Sequence, residues 1–234
     1  MQTVIDAHNI SKVYNPDTIP VHAVNSVHLH LNRGEFTALV GPSGSGKTTL
    51  LNIIGGLDLP TEGNIFIEQT NLKDLSSREL IDFRLHNIGF VFQAYNLIPV
   101  LTAKENTAFI MELQNRPKAE REAKVQELLE AVGIGDKADY KPGQLSGGQQ
   151  QRVAVARALA SHPRYIIADE PTANLDSVAT HELLDLMADM NKKYNTTFIF
   201  ATHDQRVMDK AHRIVTLDDG KVIKDETFKR KGNI

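Results

Sequence analysis

The first third of the chain is dominated by two alternating stretches and one continuous apolar run. Residues 3–10 and 21–31 alternate between apolar and polar positions, which is typical of strands with one buried face. The run 36–40 is almost entirely apolar and indicates a buried strand, and residues 49–54 follow it with the pattern of a helix. The segment therefore predicts antiparallel strands and then a strand, loop and helix.

The rest of the chain alternates between strand and helix patterns. Strands are predicted at 64–68, 88–93, 165–168 and 197–202, helices at 76–86, 116–133 and 178–193, and a hairpin over 214–223 that turns at Asp219-Gly220. The apolar face of the helix at 116–133 should comprise Ala123, Val125, Leu128, Leu129 and Val132. Residues 94–160 look mostly helical.

These elements predict one α/β domain over 1–234 with a mixed, mainly parallel central sheet. The expected parts are a core at 1–93 and 161–226 that includes an N-terminal antiparallel β subdomain, an inserted helical subdomain at 94–160, and a frayed polar tail at 227–234.

Composition narrows the function classes. The chain of 234 residues is 41% hydrophobic and 24% charged, as in ordinary globular proteins, and its net charge of −3 gives no overall positive field for nucleic acid. It has no cysteine, so disulfides and thiolate metal sites are excluded, which is consistent with a reducing cytoplasm. No apolar run approaches about 18 residues and the start does not resemble a signal peptide, so we expect any membrane role to come from a partner.

The loop between the strand 36–40 and the next helix carries a glycine-rich motif around which the rest of the chain is organised. It fits G-x-x-x-x-G-K-[ST] at every fixed position and reads Gly41, Pro42, Ser43, Gly44, Ser45, Gly46, Lys47, Thr48. Its glycines let backbone N–H groups surround a polyphosphate, and the helix adds its positive end. Lys47 would neutralise the β- and γ-phosphates and the Thr48 hydroxyl would sit on Mg²⁺. The alternative, a coincidental glycine-rich turn, does not explain the strand and helix on either side.

A second helix start with the same character follows much later. Ser146, Gly147, Gly148 and Gln149 stand immediately before the helical run 150–160 and present bare N–H groups and a helix dipole to an anion. Both phosphate-binding segments could contact one nucleotide within a subunit. Alternatively, in a two-fold dimer, each site could use the serine and glycines of the other subunit. The spacing does not decide between these arrangements.

Polar residues end two of the predicted buried strands. Asp169 and Glu170 follow the strand 165–168, where Asp169 can reach Mg²⁺ and Glu170 can face a water in line with the γ-phosphate. The alternative is a solvated acidic turn. His203 follows the strand 197–202 and can donate a hydrogen bond to a phosphate oxygen, although a structural role explains it equally well.

Gln93 and Tyr14 are weaker candidates. Gln93 ends an apolar strand where parallel sheets keep their ligand crevice, but such a glutamine is often structural. Tyr14 lies at a strand end before a polar loop, where its ring can stack on adenine or be an ordinary strand aromatic.

The segment 94–102 is apolar but bracketed by loop signals. Its apolar residues could be core or could line a groove for another protein's helix: Leu97, Ile98, Val100 and Leu101. Thr102 and Glu105 then match a capping box that opens a helix.

Taken in order, these motifs resemble those of ATP-binding-cassette (ABC) ATPases, a family with a P-loop NTPase core. The resemblance spans Tyr14 to about Lys224, and its most specific part is Leu-Ser-Gly-Gly-Gln at 145–149 followed by Gln-Gln-Arg. The stretches 51–58, 90–97 and 168–176 are similar to the branch that serves lipoprotein release and macrolide export. Ala173 departs mildly from the glycine common there.

The resemblance implies a role for each matching residue. Tyr14 would stack on adenine, while Gly44, Gly46, Lys47, Thr48 and Thr49 would hold the phosphates and Mg²⁺ of ATP. Gln93 would sense the metal and the attacking water, Glu170 would act as general base or orient that water, and His203 would hold the γ-phosphate. Ser146, Gly148 and Gln149 would complete the partner subunit's site, and Asp176 would help connect the two sites.

The resemblance also implies partners. Two subunits would bind two ATP molecules head to tail, on the cytoplasmic face of a membrane, and integral membrane permease subunits would dock at the segment after Gln93. The expected activity is ATP hydrolysis that powers export or extraction of a lipoprotein, peptide or drug-like substrate. A nucleotide-gated regulatory clamp without transport is the alternative. A cassette acting on DNA or ribosomes is disfavoured, because the chain lacks sustained heptads and a second cassette.

Overall fold

A computed structural model of the chain describes residues 2–228, which divide into two compact units. One unit holds the described residues up to Ile81 together with those from Thr197 onward, and the other comprises Asp82–Thr196. Most of the predicted polar tail, from residue 229, lies outside the described residues.

The structure contains alternating strands and helices in the predicted order. The strands are β1 Thr3–Tyr14, β2 Val21–Asn32, β3 Phe36–Val40, β4 Glu62–Ile67, β5 Thr70–Asn71, β6 Ile88–Phe92, β7 Tyr165–Asp169, β8 Thr197–Ala201, β9 Arg213–Asp218 and β10 Lys221–Thr227. The helices are α1 Lys47–Ile54, α2 Ser77–Asn87, α3 Ala103–Leu113, α4 Lys118–Ala131, α5 Gly147–Ala160, α6 Ser177–Tyr194 and α7 Gln205–Lys210. Short 3₁₀ turns occur at Leu72–Asp74, Gly135–Lys137 and Pro142–Gln144.

The first unit contains an antiparallel sheet in the order β2-β1-β4-β5. Most of its apolar positions are buried, but Val21 at the start of β2 is exposed, as are His28 and His30. This sheet confirms the predicted antiparallel β part. β1 continues to Tyr14, beyond the predicted end at residue 10, because irregularities in its pairing near Ala7 and Ile10 break the alternation without ending the strand.

The same unit contains a mixed set of strands around β3. β3 pairs in parallel with β8 and β9, and β9 pairs antiparallel with β10. Phe36, Phe198 and Phe200 are fully buried and pack on one another with ring centroids 4.5–6.0 Å apart. The hairpin turns at the predicted Asp219-Gly220, where both residues have positive φ, as a two-residue type I′ turn requires.

The second unit combines the parallel strand pair β6 and β7 with a layer of helices, in which α3, α4 and α5 pack together. Val125, Leu128, Leu129 and Val132 are buried as predicted. The prediction for Ala123 is wrong, because this residue is exposed. Two positions along a helix correspond to a rotation of about 200°, so Ala123 and Val125 face opposite sides.

The predicted α/β fold, with an antiparallel sheet and mainly parallel strands around β3 and β6, is confirmed. Helices dominate between β6 and β7, as expected, whereas the limits of an inserted subdomain at 94 and 160 remain a prediction. In the part of the chain from residue 2 to 228, no helix has both the length and the apolar character needed to cross a membrane.

Candidate functional site

The loop after β3 is closed by a lysine that folds back over it. Lys47 is the first residue of α1, and its Nζ donates hydrogen bonds to the carbonyl oxygens of Gly41 at 2.8 Å and Pro42 at 2.9 Å. Thr48 is exposed. No side chain caps the start of α1 and its first turn has no acidic residue, so the first N–H groups of this helix have no side-chain acceptor.

The backbone of this loop depends on glycine. Gly46 is the N-cap of α1 with φ 96°, and a Cβ atom there would lie 2.2 Å from the Ala23 carbonyl oxygen. Gly44 has φ 80°, but a Cβ atom there would meet nothing within 4 Å. Ser45 is buried and its Oγ has no hydrogen-bond partner among the described residues. The loop thus has an open side at Gly44 and unsatisfied polar atoms, which fits a phosphate cradle.

Tyr14 is held by a carboxylate that the sequence analysis did not single out. The Tyr14 hydroxyl donates to Asp58 Oδ2 at 2.9 Å, and Lys12 Nζ lies 2.6 Å from Asp58 Oδ1 and 5.1 Å from the centroid of the Tyr14 ring. Partial burial and this hydrogen bond raise the pKa of Tyr14. Burial opposes ionisation of Asp58, but hydrogen bonds from Lys12, Tyr14 and the Leu59 N–H together lower the pKa of Asp58. Tyr14 is 37% exposed as a residue, so these contacts hold its side chain at the surface of the unit.

His203 follows β8 in the same unit, and its side chain is exposed. The next residue, Asp204, caps α7 and forms a bidentate ion pair with Arg206. The first unit therefore carries Tyr14, the phosphate loop and His203.

In the second unit, β7 ends in Asp169 and Glu170, both partly exposed. Glu170 has φ 45°, a left-handed conformation that is uncommon outside glycine, asparagine and aspartate and is further disfavoured before a proline such as Pro171. Such backbone costs about 1–3 kcal/mol and persists only where the surroundings fix it. The turn therefore fixes the backbone from which the Glu170 side chain extends.

Gln93 is tied to the loop that follows Glu170. Asn174 Nδ2 donates to the Gln93 carbonyl oxygen at 3.0 Å, and Gln93 Nε2 lies 3.4 Å from Asn174 Oδ1. Asn174 was not predicted as a site residue. Asp176, two residues further on, caps α6 by accepting a hydrogen bond from the Ala179 N–H at 2.8 Å.

The start of α5 is less bare than its sequence suggests. Ser146 and Gln149 form a capping box, in which Ser146 Oγ accepts from the Gln149 N–H at 3.3 Å and Gln149 Oε1 accepts from the Ser146 N–H at 2.9 Å. Two N–H groups that we expected to be free are thus satisfied within the chain. Gly148 packs close to α6, because a Cβ atom there would lie 3.3 Å from the Ala179 Cβ.

The segment after Gln93 is fixed by two residues from neighbouring helices. Arg157 of α5 donates to the carbonyl oxygens of Tyr95 and Asn96, and burial lowers the pKa of its guanidinium. Asn106 of α3 is fully buried. Its Oδ1 accepts a hydrogen bond from the Ile98 N–H, and its Nδ2 donates to the carbonyl oxygens of Ile98, Leu101 and Thr102. The Thr102–Glu105 capping box is confirmed.

The apolar side chains of this segment are not fully buried. Val100 is 71% exposed, and the others are half-buried: Leu97, Ile98 and Leu101. Of the two interpretations of this segment, the core interpretation is therefore wrong for Val100.

Two features define the class of protein as a P-loop nucleotide-binding protein. They are the glycine-rich loop between a buried strand and an uncapped helix, and the strained acidic turn after a parallel strand. The model of the family described as "ABC transporter" matches residues 24–173. The chain is 40% identical to a lipoprotein-releasing system ATP-binding protein, LolD, of Legionella pneumophila, over 93% of this chain and 96% of that protein. It is 41% identical to the macrolide export ATP-binding/permease protein MacB of Hyphomonas neptunium, over 97% of this chain and 35% of that protein.

A solved structure agrees with this match. The dimeric structure of the Methanocaldococcus jannaschii cassette MJ0796, in a post-hydrolysis state with ADP and Pi, has a TM-score of 0.87 and 42% identity, and it covers 96% of this chain and 99% of that one. The chain therefore belongs to the ABC transporter family, in the branch of the lipoprotein-release and macrolide-export ATPases. As expected from the sequence, it is an ATP-binding ATP hydrolase.

Proposed function

We propose that the chain is the ATPase subunit of a membrane export or extraction system and works as a head-to-tail homodimer with two ATP molecules between its subunits. The observation that supports this proposal is that one chain has two dissimilar helix starts rich in glycine, the uncapped start of α1 in one unit and the start of α5 in the other. The dimeric form of the related MJ0796 cassette, with its ADP and Pi, supports the same assembly.

The first unit binds the nucleotide. Tyr14 stacks on adenine, with its hydroxyl anchored by Asp58. The N–H groups of the loop Gly41–Thr48 surround the phosphates, and Thr49 adds a further hydroxyl. Lys47 turns from the carbonyl oxygens of Gly41 and Pro42 towards the β- and γ-phosphates, which are stronger acceptors. His203 donates a hydrogen bond to the γ-phosphate.

The second unit supplies the residues that act on water. Glu170 orients the attacking water, and its fixed backbone limits the directions its carboxylate can take. Gln93, held by Asn174, faces the same water and the metal. Free carboxylates are weak bases at neutral pH, so Glu170 acts mainly through position and charge.

The residues present fit Mg²⁺. The candidate ligands are oxygen atoms of Thr48, Asp169 and Gln93, which suit this hard cation. The described residues contain no group of three or more histidine or acidic side chains that could hold a metal, and Mg²⁺ bound with a nucleotide needs only one or two carboxylates beside phosphates and waters. When bound, the ion supplies neutralisation of the charge that develops on the phosphates.

The partner subunit completes each site. Ser146, Gly147, Gly148 and Gln149 of one subunit contact the γ-phosphate bound to the other, and Asp176 lies near them at the start of α6 and links the two sites. This arrangement requires the Ser146–Gln149 capping box to exchange part of its internal bonding for the phosphate.

The permease partner docks on the segment after Gln93 and keeps the chain at the cytoplasmic face of its membrane. Exposure of Val100, together with the rigid support from Arg157 and Asn106, supports a binding surface here. By analogy with LolD and MacB, the transported substrate is a lipoprotein, peptide or drug-like molecule.

The test is the Glu170→Gln variant. Hydrolysis should fall at least a hundredfold because the water loses its orienting carboxylate, while Mg²⁺-ATP should trap a stable dimer. Light scattering after size exclusion, with ADP as the control nucleotide, measures the assembly. A variant that stays monomeric in Mg²⁺-ATP, or that hydrolyses ATP at the parental rate, would refute the proposal.

A further inference from the structure

The second turn of α5 carries a buried glutamine that bridges two loops. Gln151 is completely buried, and its Nε2 donates to the Pro171 carbonyl oxygen at 2.8 Å and lies 3.4 Å from that of Phe92. Pro171 directly follows Glu170, and Phe92 directly precedes Gln93. One side chain therefore contacts the backbone next to Glu170 and next to Gln93, the two residues that face the attacking water in the proposed function.

The bonding of Gln151 is directional rather than simply space-filling. Its Oε1 is buried and has no hydrogen-bond partner among the described residues. A flipped amide would put Oε1 against two carbonyl oxygens, so the contacts fix which end of the amide faces the loops. An unbranched apolar side chain would remove the unsatisfied Oε1 but would also take this donor away from the buried Pro171 carbonyl oxygen, so the two effects on stability oppose each other. The amide therefore contributes the position of the two loops more than it contributes stability.

A second tether completes the connection. The Asn174 side chain bonds the backbone and the side chain of Gln93, so the end of β6 and the turn after β7 are joined at two points. Glu170 directly precedes the first tethered residue of this turn, Pro171, and has a left-handed φ of 45°. A backbone in that conformation depends on its surroundings to keep it there.

We propose that Gln151 is a positioning residue for ATP hydrolysis, which holds the Glu170 turn and the start of the Gln93 segment to helix α5. This inference rests on the proposed function. Gln151 lies four residues after Gly147, about 6 Å along the helix at 1.5 Å per residue. Helix α5 thus carries the helix start that faces the partner's nucleotide and also holds the Glu170 turn, which acts on the chain's own nucleotide. Engagement of the first is transmitted to the second through this amide.

The test is Gln151→Met, which keeps an unbranched side chain of similar length and removes the amide. The kcat for ATP should fall at least tenfold, because small displacements of reacting groups are costly, while the KM for ATP changes less than twofold. The melting temperature should change little, because removal of the unsatisfied Oε1 offsets loss of the donor to the Pro171 carbonyl oxygen. Asn174→Ala, which removes the second tether at an exposed position, should lower kcat in the same way.

Gln114→Met is the matched control. Gln114 Nε2 also bridges two carbonyl oxygens of the second unit, those of Leu85 and Ser161, but neither adjoins a proposed site residue. The Gln114→Met variant should keep the parental kcat. An equal loss of kcat in Gln114→Met, or a parental kcat in Gln151→Met or Asn174→Ala, would overturn the inference, as would a loss of ATP affinity in parallel with kcat.

The Glu170→Gln background separates this inference from the proposed function. The double variant Gln151→Met/Glu170→Gln should still form the Mg²⁺-ATP dimer, because Gln151 positions the hydrolytic turn and does not touch the nucleotide. Failure of Glu170→Gln alone to dimerise refutes the proposed function. Dimerisation of Glu170→Gln together with full activity of Gln151→Met refutes only the role of Gln151.

Discussion

Replacement of Gly46 by alanine tests whether the phosphate loop is fixed by backbone conformation or by close packing. Gly46 has φ 96°, and the new Cβ atom would lie 2.2 Å from the Ala23 carbonyl oxygen of β2. Carbon and oxygen atoms do not approach so closely, so one of the two backbone segments must move. The side chain of the new residue adds nothing else, because it is a single methyl group.

The two costs can be estimated separately. A left-handed backbone at a residue with a Cβ atom costs about 1–3 kcal/mol. The collision adds about 1–3 kcal/mol, the usual range for forcing atoms into a packed region. At about 2–4 °C per kcal/mol for a chain of this size, Gly46→Ala should lower the melting temperature by roughly 4–24 °C.

Gly44→Ala is the control for backbone conformation alone. Gly44 has φ 80°, and its Cβ atom would meet nothing within 4 Å, so only the first cost applies. Thermal unfolding of both variants without nucleotide keeps phosphate binding out of the comparison. Gly46→Ala should be the less stable variant by about 1–3 kcal/mol, the collision cost. Equal melting temperatures would show that the contact with Ala23 does not restrict position 46.

Three further predictions concern charged groups. Lys47→Ala should raise the Kd for ATP at least tenfold in calorimetry, because it removes a charge-assisted contact with the phosphates; an unchanged Kd would contradict its place in the cradle. Asp58→Asn should weaken ATP binding about three- to tenfold, or about 1 kcal/mol, because it loosens the contact that holds Tyr14. An ATP Kd equal to that of the parent would argue against this anchor. Hydrogen bonds from Arg213 lower the pKa of Asp225, so the ion pair stabilises the folded chain above the ordinary aspartate pKa and is lost as the pH falls through the lowered value. Asp225→Asn should therefore destabilise the protein at pH 7 by about 1 kcal/mol, a value discounted for solvent screening, and should cost less near pH 3 in urea titrations.

Local patterns predicted the fold because each element carries its own signal. The capping box at Thr102 and Glu105, the turn at Asp219-Gly220 and the buried run before the phosphate loop all depend on residues close in sequence. The prediction for Ala123 is wrong because a residue two positions before Val125 lies on the opposite side of the helix, so its apolar character alone does not place it in the core. Ser146 and Gln149 also match a capping box, and that signal was present in the sequence but was interpreted only as an anion site.

The contacts that orient the site residues were not predictable in the same way. Tyr14 and Asp58 are 44 positions apart, and Gln93 and Asn174 are 81 positions apart, so no local spacing relates them. The sequence does contain one signal for Gln151, its position on an apolar helix face. Gln151 shares a helix face with Ala154, Val155 and Ala158, which are all buried, and a polar residue on such a face needs a buried partner.

The capping box at the start of α5 affects which anions can bind there. Because the Gln149 N–H already has an acceptor in Ser146, an incoming oxygen that binds this N–H must displace a neutral hydrogen bond, and it gains only the difference in strength between the two bonds. A highly charged terminal phosphate offers a large difference, whereas a weakly charged ion offers little. Under the proposed function, the capped helix start would therefore favour highly charged anions, and nucleotide-free subunits would gain little binding energy from it.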